Sequence, residues 1–373
     1  MVLFMLLVCC FNVQAEDGVT NGEIVLGQTC ALSGSAQALG QGMRDGISAY
    51  FSKLNAEGGI NGRKVRLISK DDGYEPDQAI KNTRSLLSED KVFLLIGGVG
   101  TPTAQAIVPI AEENKVPFFG PFTGAEFLRN PFKKYVVNVR ASYNQEMEKQ
   151  AQYLIDQKKL TKIACFYQND GYGKAGLTGI TIALEKRGMK LIETANYERN
   201  TMAVKSGLMA IRNAKPEAIV MVGAYKPCAE FIKLARKLGM QDVVFCNISF
   251  VGSEALHKEL GGEGDGCIIS QVVVYPWDSG ISIVKEYTDA MKQYNPEGTI
   301  GFISLEGYMV AKLFAMAAGK VQGELTRESF LNSIATIGVF DLGGVKLEFG
   351  PDDHQGMNDV FMTIIKDNKI IPL

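Results

Sequence analysis

The segment Val92-Phe93-Leu94-Leu95-Ile96-Gly97-Gly98-Val99-Gly100-Thr101-Pro102-Thr103 joins an apolar run to a glycine-rich turn and then to two hydroxyl side chains. The run, apolar on both faces, is typical of a strand in a buried parallel sheet. The turn places free N–H groups and hydroxyls at a helix N-terminus, which suits a carboxylate. It lacks the Lys-Ser/Thr pair of a P-loop and the spacing of a dinucleotide-binding loop, which argues against nucleotide binding. We expect Thr101 to bind a ligand; the alternative is that it only caps the helix.

The same alternation of apolar runs and amphipathic stretches continues on both sides of this segment. In the first half of the chain it predicts strands at Ile24–Gln28, Val65–Ser69, Val92–Ile96, Val116–Phe119 and Tyr135–Val139. It restarts after Arg140 and predicts strands at Ile163–Tyr167, Ala218–Val222 and Val243–Cys246. Beyond Gly266, the run Cys267–Val274 and the helical stretch Ser304–Ala318 look like material returning to the first series. Two βαβ series predict an α/β fold of two doubly wound parallel-sheet lobes.

Length and charge restrict the classes of function. The chain has 373 residues, which suits two domains. Its formal net charge is -2 and no Lys/Arg cluster recurs on a predicted face, so we expect no nucleic-acid partner.

The first residues predict export. The apolar run Val2–Val13 is too short to span a bilayer, and it fits a secretory signal peptide, residues 1–15, although a basic n-region is absent. A frayed first strand is the alternative. A lipoprotein anchor at Cys9 or Cys10 is disfavoured because Val8 precedes Cys9 where a small residue is wanted. We therefore expect a periplasmic protein.

The cysteines, histidines and paired aspartates do not form a recognisable catalytic or metal-binding pattern. Five cysteines follow the predicted signal peptide, without metal-site spacing, and we expect Cys165 and Cys246 to be core residues. His257 and His354 lie outside the strand-end loops, and Asp71-Asp72 suits a turn better than an acid–base pair. A hydrolase or dehydrogenase would need a nucleophile elbow or a dinucleotide fingerprint, and neither is found. We predict a protein that is not an enzyme, with no cofactor and no metal.

Candidate ligand-binding residues follow the predicted strands, because open α/β sheets bind ligands beyond the carboxyl ends of their strands. In the first lobe they are Gly100, Thr101, Phe122, Thr123 and Gly124. In the second lobe, two aromatic side chains on matching strand-end loops could cover a ligand, namely Tyr172 and Tyr225. Glu306 is predicted in the first turn of a helix, either in the site or as a partner of the helix dipole.

The ordered set of loops resembles the periplasmic leucine/isoleucine/valine-binding protein family, the type I solute receptors of ABC transporters, over essentially all of the mature chain. The matching features are Leu32-Ser33-Gly34 to Gly40 with Gly46, Gly58 to Gly62, Gly97 to Pro109, Val116 to Leu128, Tyr172-Gly173, and Gly223-Ala224-Tyr225.

This resemblance implies a Venus-flytrap with three crossings between lobes, near Arg140, Val272 and Leu342. The first lobe would comprise 22–140 and 273–342, and the second 141–272 and 343–373. It also implies a monomer that closes on a small molecule and presents it to the permease and ATPase subunits of an ABC importer.

The resemblance assigns roles residue by residue. Thr101, Thr123 and Gly124 would hold the carboxylate and amino ends of the ligand. Tyr172 and Tyr225 match the aromatic residues that the second lobe contributes. The ligand's side-chain pocket maps to the region of Leu39 and to Tyr275 or Trp277.

One position departs from the family. Amino-acid-binding members have an acidic residue where this chain has Ser249, and a desolvated ammonium without a carboxylate partner is costly. Either Asp170, Glu254 or Glu306 substitutes, or the ligand has no ammonium group. The ligand could then be an amino acid, an aromatic acid or an amide. A sensor that reports the ligand to a membrane receptor is the alternative to transport.

Overall fold

The structure is a computed structural model that describes residues 16–373, so the predicted signal peptide lies outside the described residues. Its strands are β1 (Glu23–Cys30), β2 (Lys64–Asp71), β3 (Leu94–Ile96), β4 (Phe118–Phe119), β5 (Val136–Val137), β6 (Ile163–Gln168), β7 (Glu193–Tyr197), β8 (Ala218–Val222), β9 (Val244–Asn247), β10 (Ile268–Gln271), β11 (Val339–Asp341), β12 (Lys346–Glu348), β13 (Phe361–Lys366) and β14 (Lys369–Pro372). Its α-helices are α1 (Gln37–Ala56), α2 (Pro76–Ser88), α3 (Thr101–Glu113), α4 (Tyr143–Ala151), α5 (Gly171–Glu185), α6 (Lys205–Ala214), α7 (Tyr225–Lys237), α8 (Ser253–Leu260), α9 (Ser282–Tyr294), α10 (Phe302–Gly319) and α11 (Arg327–Ile337).

Two sheets organise the chain into two lobes. The first sheet has five parallel strands in the order β2-β1-β3-β4-β5. The second has seven strands in the order β14-β13-β10-β9-β8-β6-β7, and β13 and β14 join it antiparallel. We call each sheet with the helices packed on it a lobe. The predicted fold class, two α/β lobes built on parallel sheets, is confirmed, with an antiparallel edge that the sequence did not predict.

The helices that return late in the sequence complete the first lobe. Helix α10 packs along α1, where a Cβ on Gly46 would lie 1.8 Å from the Ser304 carbonyl oxygen, so the two helix backbones touch. Among the described residues only α10 has the length and hydropathy of a membrane span, but 83% of that stretch is buried. This is the pattern of a core helix.

The prediction that Cys267–Val274 returns to the first lobe is wrong for its strand. β10 pairs with β9 and β13, so residues 268–271 lie in the second sheet. A run that is apolar on both faces fits either sheet, and only the long-range pairing decides between them. After α11, β11 and β12 pair with each other, and the chain next joins the second sheet at β13. Leu342, near which the third crossing is expected, lies between the two strands of the β11–β12 hairpin.

The cysteines of the described chain are core residues. Cys30, Cys165, Cys228, Cys246 and Cys267 are all free and buried. The core interpretation of Cys165 and Cys246 is confirmed, and burial raises the pKa of both thiols.

Candidate functional site

Loops at the carboxyl ends of the two sheets meet across a cleft between the lobes. The Phe122 ring, after β4, lies 5.4 Å from the Phe250 ring, after β9. Tyr74, after β2, lies 6.0 Å from the same ring, and its hydroxyl accepts a 3.4 Å hydrogen bond from Gln168 of the second lobe. The lobes are therefore closed on each other at the position where the sequence predicted a ligand.

The two predicted threonine anchors are brought together in the first lobe. Thr101 is the first residue of α3, and its hydroxyl oxygen lies 2.7 Å from that of Thr123; both side chains are fully buried. The capping alternative for Thr101 is wrong, because Gly100 occupies the N-cap position and no side chain caps this helix. Two hydroxyls beside the positive end of a helix form a neutral donor pair that suits a carboxylate oxygen.

Tyr143 extends this hydroxyl pair and was missed at the sequence level. Its hydroxyl lies close to the hydroxyls of Thr101 and Thr123 but completes no hydrogen bond among the described residues. Burial raises the pKa of Tyr143 to about 12, so the phenol stays protonated and keeps its donor. The ring packs on Gly124, where a Cβ would lie 2.6 Å from it. A signal was present, because a capping box at Ser142 starts α4 and fixes the residue that follows.

Aromatic rings from the second lobe cover the hydroxyls. Tyr172 lies at the start of α5 rather than in a loop, with Asp170 accepting hydrogen bonds from the Tyr172 and Gly173 amides. The Tyr172 ring lies 5.6 Å from Tyr143 and 4.5 Å from Phe250. Phe250, at the end of a predicted strand-end loop, was not singled out from the sequence because its role depends on contacts between the lobes. The cleft wall is therefore aromatic with inward hydroxyls.

Tyr225 and Leu39 lie together on a second part of the cleft. Tyr225 begins α7, is 3% exposed, and its hydroxyl lies close to the Ala38 amide of α1. Leu39 is fully buried, and a Cβ on Gly252 of the second lobe would lie 2.6 Å from it. Tyr225 also lines a pocket of about 340 Å³ between α1, α7, α8 and the start of α10.

A buried arginine contacts Ser249, where the family has an acidic residue. Arg140 Nη2 donates to the Ser249 hydroxyl at 2.9 Å and to Glu306 at 3.1 Å, and Arg140 is 1% exposed. Its guanidinium stacks on the Phe122 ring at 4.3 Å. Nη1 has no hydrogen-bond partner among the described residues, and the adjoining void has room for roughly one water molecule. A fixed positive charge therefore occupies this end of the cleft.

Two carboxylates balance that charge. Burial raises the pKa of Glu306 to about 7, against the attraction of Arg140. Burial also raises the pKa of Glu146, which accepts hydrogen bonds from the Ser249 amide and hydroxyl and from the Ser270 hydroxyl. The prediction of Glu306 in a first helical turn is wrong, because α10 begins four residues earlier, at Phe302.

The three carboxylates considered as substitutes for an ammonium partner are already engaged. Asp170 caps α5, Glu306 pairs with Arg140 at 3.0 Å, and Glu254 accepts a hydrogen bond from the Phe302 amide at 2.8 Å. Within residues 16–373, no group of three or more His, Cys, Asp or Glu side chains could hold a metal ion.

Tyr275 and Trp277 lie away from the threonine pair. The Tyr275 hydroxyl donates to the Ile370 carbonyl at 2.9 Å, and the Trp277 ring, 43% exposed, packs edge-on against Tyr275 and Phe302. They line outer pockets of about 380 and 390 Å³, respectively, rather than the 340 Å³ cleft pocket.

Comparisons with known proteins agree with this fold. A family model described as periplasmic binding protein matches residues 23–369. The crystal structure of a possible leucine/isoleucine/valine-binding protein from Rhodopirellula baltica SH 1 is 37% identical, with a TM-score of 0.90, over 97% of this chain and 98% of that one. The Leu/Ile/Val-binding protein homolog 7 of Brucella abortus is 22% identical over 325 residues, 83% of this chain and 80% of its own. An ABC transporter solute-binding protein from R. palustris in complex with benzoate shares the fold, at 19% identity and a TM-score of 0.83 over 94% of this chain and 96% of that one.

Proposed function

The chain belongs to the periplasmic binding protein family, and from that premise we propose that it captures a small carboxylate-bearing solute without an ammonium group and delivers it to an ABC importer. Family members are extracytoplasmic binding proteins, which is consistent with the export predicted from residues 1–15. Closure of the two lobes is the working motion.

The observation that carries the proposal is the contact between Arg140 and Ser249. An amino-acid ligand would bring its ammonium to the position of Ser249, where the guanidinium already lies 2.9 Å from the hydroxyl. Two cations at this distance repel each other in a water-poor cleft. The nearest carboxylates, Glu306 and Glu146, are already bonded to Arg140 and to two serines. An ammonium would therefore find no free carboxylate at this position, and a solute without an ammonium group avoids that cost.

Other side chains of the cleft can bind the carboxylate and the body of such a solute. Thr101, Thr123 and the unpaired hydroxyl of Tyr143 can donate to carboxylate oxygens. The rings of Tyr172, Phe250 and Phe122 suit an apolar or aromatic body. A relative with the same fold has benzoate in its crystal structure, which is a carboxylate without an ammonium group.

The test is a set of matched ligands measured by thermal shift and calorimetry. Leucine is compared with 4-methylpentanoate, which lacks only the ammonium group, and with 4-methylpentanamide, which lacks the charge. Phenylalanine is compared with 3-phenylpropanoate in the same way. We expect the acids to raise the melting temperature, because a ligand at about 100 times its Kd adds about 2.7 kcal/mol of stability. A larger shift with the amino acids, or with the amide, would overturn the assigned ligand class.

A further inference from the structure

One hydrogen bond joins the second lobe to the backbone end of a first-lobe helix. Glu254, on α8, accepts from the amide of Phe302, the first residue of α10, at 2.8 Å. No side chain of α10 itself caps this end, because Gly301 occupies the N-cap position. An N-terminal amide and the helix dipole both favour an anionic partner. The second lobe therefore provides a cap that the first lobe lacks.

The backbone beside the Glu254–Phe302 hydrogen bond leaves space for the carboxylate but not for an additional side chain. A Cβ on Gly301 would lie 2.3 Å from Glu254 Oε1, although its φ of 179° is extended and open to any residue. Next to it, a Cβ on Gly252 would lie 3.5 Å from the Ile303 side chain of α10. Separation of the lobes would remove these contacts together. The cap is therefore specific to the closed arrangement.

Glu254 has no cationic partner among the described residues. The charged and titratable groups that face it are Lys258 and Glu259 on its own helix, Lys226 on α7, Asp45 on α1, Glu297 in the segment before α10, and Tyr287 on α9. Desolvation raises the pKa of Glu254 from 4.5 to about 7, and the Phe302 amide only partly offsets it. The side chain keeps some exposure to the cleft pocket.

We propose that Glu254 is a positioning residue for closure, which holds the first turn of α10 from across the cleft and thereby sets Glu306 against Arg140. Glu306 lies four residues after Phe302 on the same helix, one turn further along. The cap at Phe302 and the ion pair of Arg140 with Glu306 then hold the first two turns of α10. This inference rests on the proposed function, because it describes how the binding protein closes.

A consequence is that closure takes up a proton. The ordinary pKa of a glutamate is 4.5, and burial in the closed form raises the pKa of Glu254 to about 7. Between these values the closed form binds more protons, so closing is favoured as the pH falls and becomes less favourable as the pH rises through 7. Above 7 the effect is constant. One proton changes the closing equilibrium by at most about tenfold per pH unit.

The test compares wild type with Glu254→Gln, Gly301→Ala and the control Glu185→Gln, an exposed carboxyl at the end of α5 in the same lobe. Glu254→Gln keeps an oxygen acceptor but cannot ionise. Gly301→Ala displaces the carboxylate sterically and leaves the backbone undisturbed. The Kd of 4-methylpentanoate is measured from pH 5.5 to 8. Hydrogen exchange of the Phe302 amide is followed in the absence of ligand.

We expect the wild-type Kd to rise relative to that of Glu254→Gln by about twentyfold between pH 5.5 and 7.5, given a closed-form pKa of about 7. The Glu185→Gln profile should follow wild type. Gly301→Ala should weaken binding at every pH and accelerate exchange at Phe302. Parallel profiles for wild type and Glu254→Gln, or unchanged exchange in Gly301→Ala, would overturn the inference. If 4-methylpentanoate does not bind, the proposed ligand class fails, and the ligand-free exchange at Phe302 still decides the role of Glu254.

Discussion

At the scale of single residues, the site depends on buried hydroxyls that have few partners. The hydroxyls of Thr101 and Thr123 hydrogen-bond each other at 2.7 Å, whereas the Tyr143 hydroxyl has no hydrogen-bond partner among the described residues. A buried polar group without a partner costs free energy. A solute that supplies a hydrogen-bond acceptor therefore gains more binding free energy here than it would at an exposed surface. Thr101 could be predicted because it follows an apolar strand and a turn with three glycines. Phe250 could not, because its role depends on contacts between the lobes. For Tyr143 the capping box at Ser142 indicates a helix start, but not the approach of its hydroxyl to the two threonines.

The first prediction at this scale concerns Thr101→Val. The substitution keeps the shape and removes the hydroxyl, so we expect the Kd for 4-methylpentanoate to rise by about tenfold, the equivalent of about 1.4 kcal/mol. Calorimetry measures it. Thr103→Val is the matched control, because that hydroxyl, on the same helix, donates to the Val99 carbonyl. The control should lower the melting temperature and leave the Kd unchanged. Equal Kd values for Thr101→Val and wild type would remove Thr101 from the site.

At the scale of elements, the strands were predictable because they are short apolar runs with turn residues at their ends. Sheet membership was not, as β10 shows, since its partner β13 lies about a hundred residues later. Gly46, quoted for the family resemblance, now has a physical reason. Gly46 of α1 faces the Ser304 carbonyl, and a Cβ on Gly307 of α10 would lie 2.4 Å from the Met43 carbonyl oxygen. The close approach of these two helices needs both glycines.

A stability prediction follows for this helix pair. Gly46→Ala would place a methyl group against backbone that cannot move aside, and we expect unfolding to become easier by about 1–3 kcal/mol. Urea denaturation followed by circular dichroism measures the change. Gly319→Ala, at the end of α10 with its nearest neighbour 3.9 Å away, is the control and should be neutral or slightly stabilising. A neutral Gly46→Ala would mean that the helices can separate without cost.

At the scale of the whole molecule, the rim of the cleft carries contacts that exist only when the lobes are closed. Asn200 of the second lobe donates to the Gly73 carbonyl at 3.2 Å and to Glu75 at 2.7 Å in the first. Its side-chain oxygen accepts from Ser35 at 2.6 Å, and the neighbouring Arg199 pairs with Glu75 at 2.7 Å. These contacts contribute to closure and nothing to the fold of either lobe. Binding and unfolding should therefore respond differently to their loss.

The variant that separates the two effects is Asn200→Gly. Asn200 has a φ of 60°, which glycine adopts without strain, so only the side-chain contacts are lost. We expect the Kd for 4-methylpentanoate to rise by about three- to tenfold, since several exposed hydrogen bonds are removed. X-ray scattering of the ligand-free protein should shift towards a more extended particle, while the unfolding midpoint changes little. An unchanged Kd with an unchanged scattering profile would mean that the rim does not contribute to closure. A fall in the unfolding midpoint as large as the loss in binding would place Asn200 in the stability of a lobe instead.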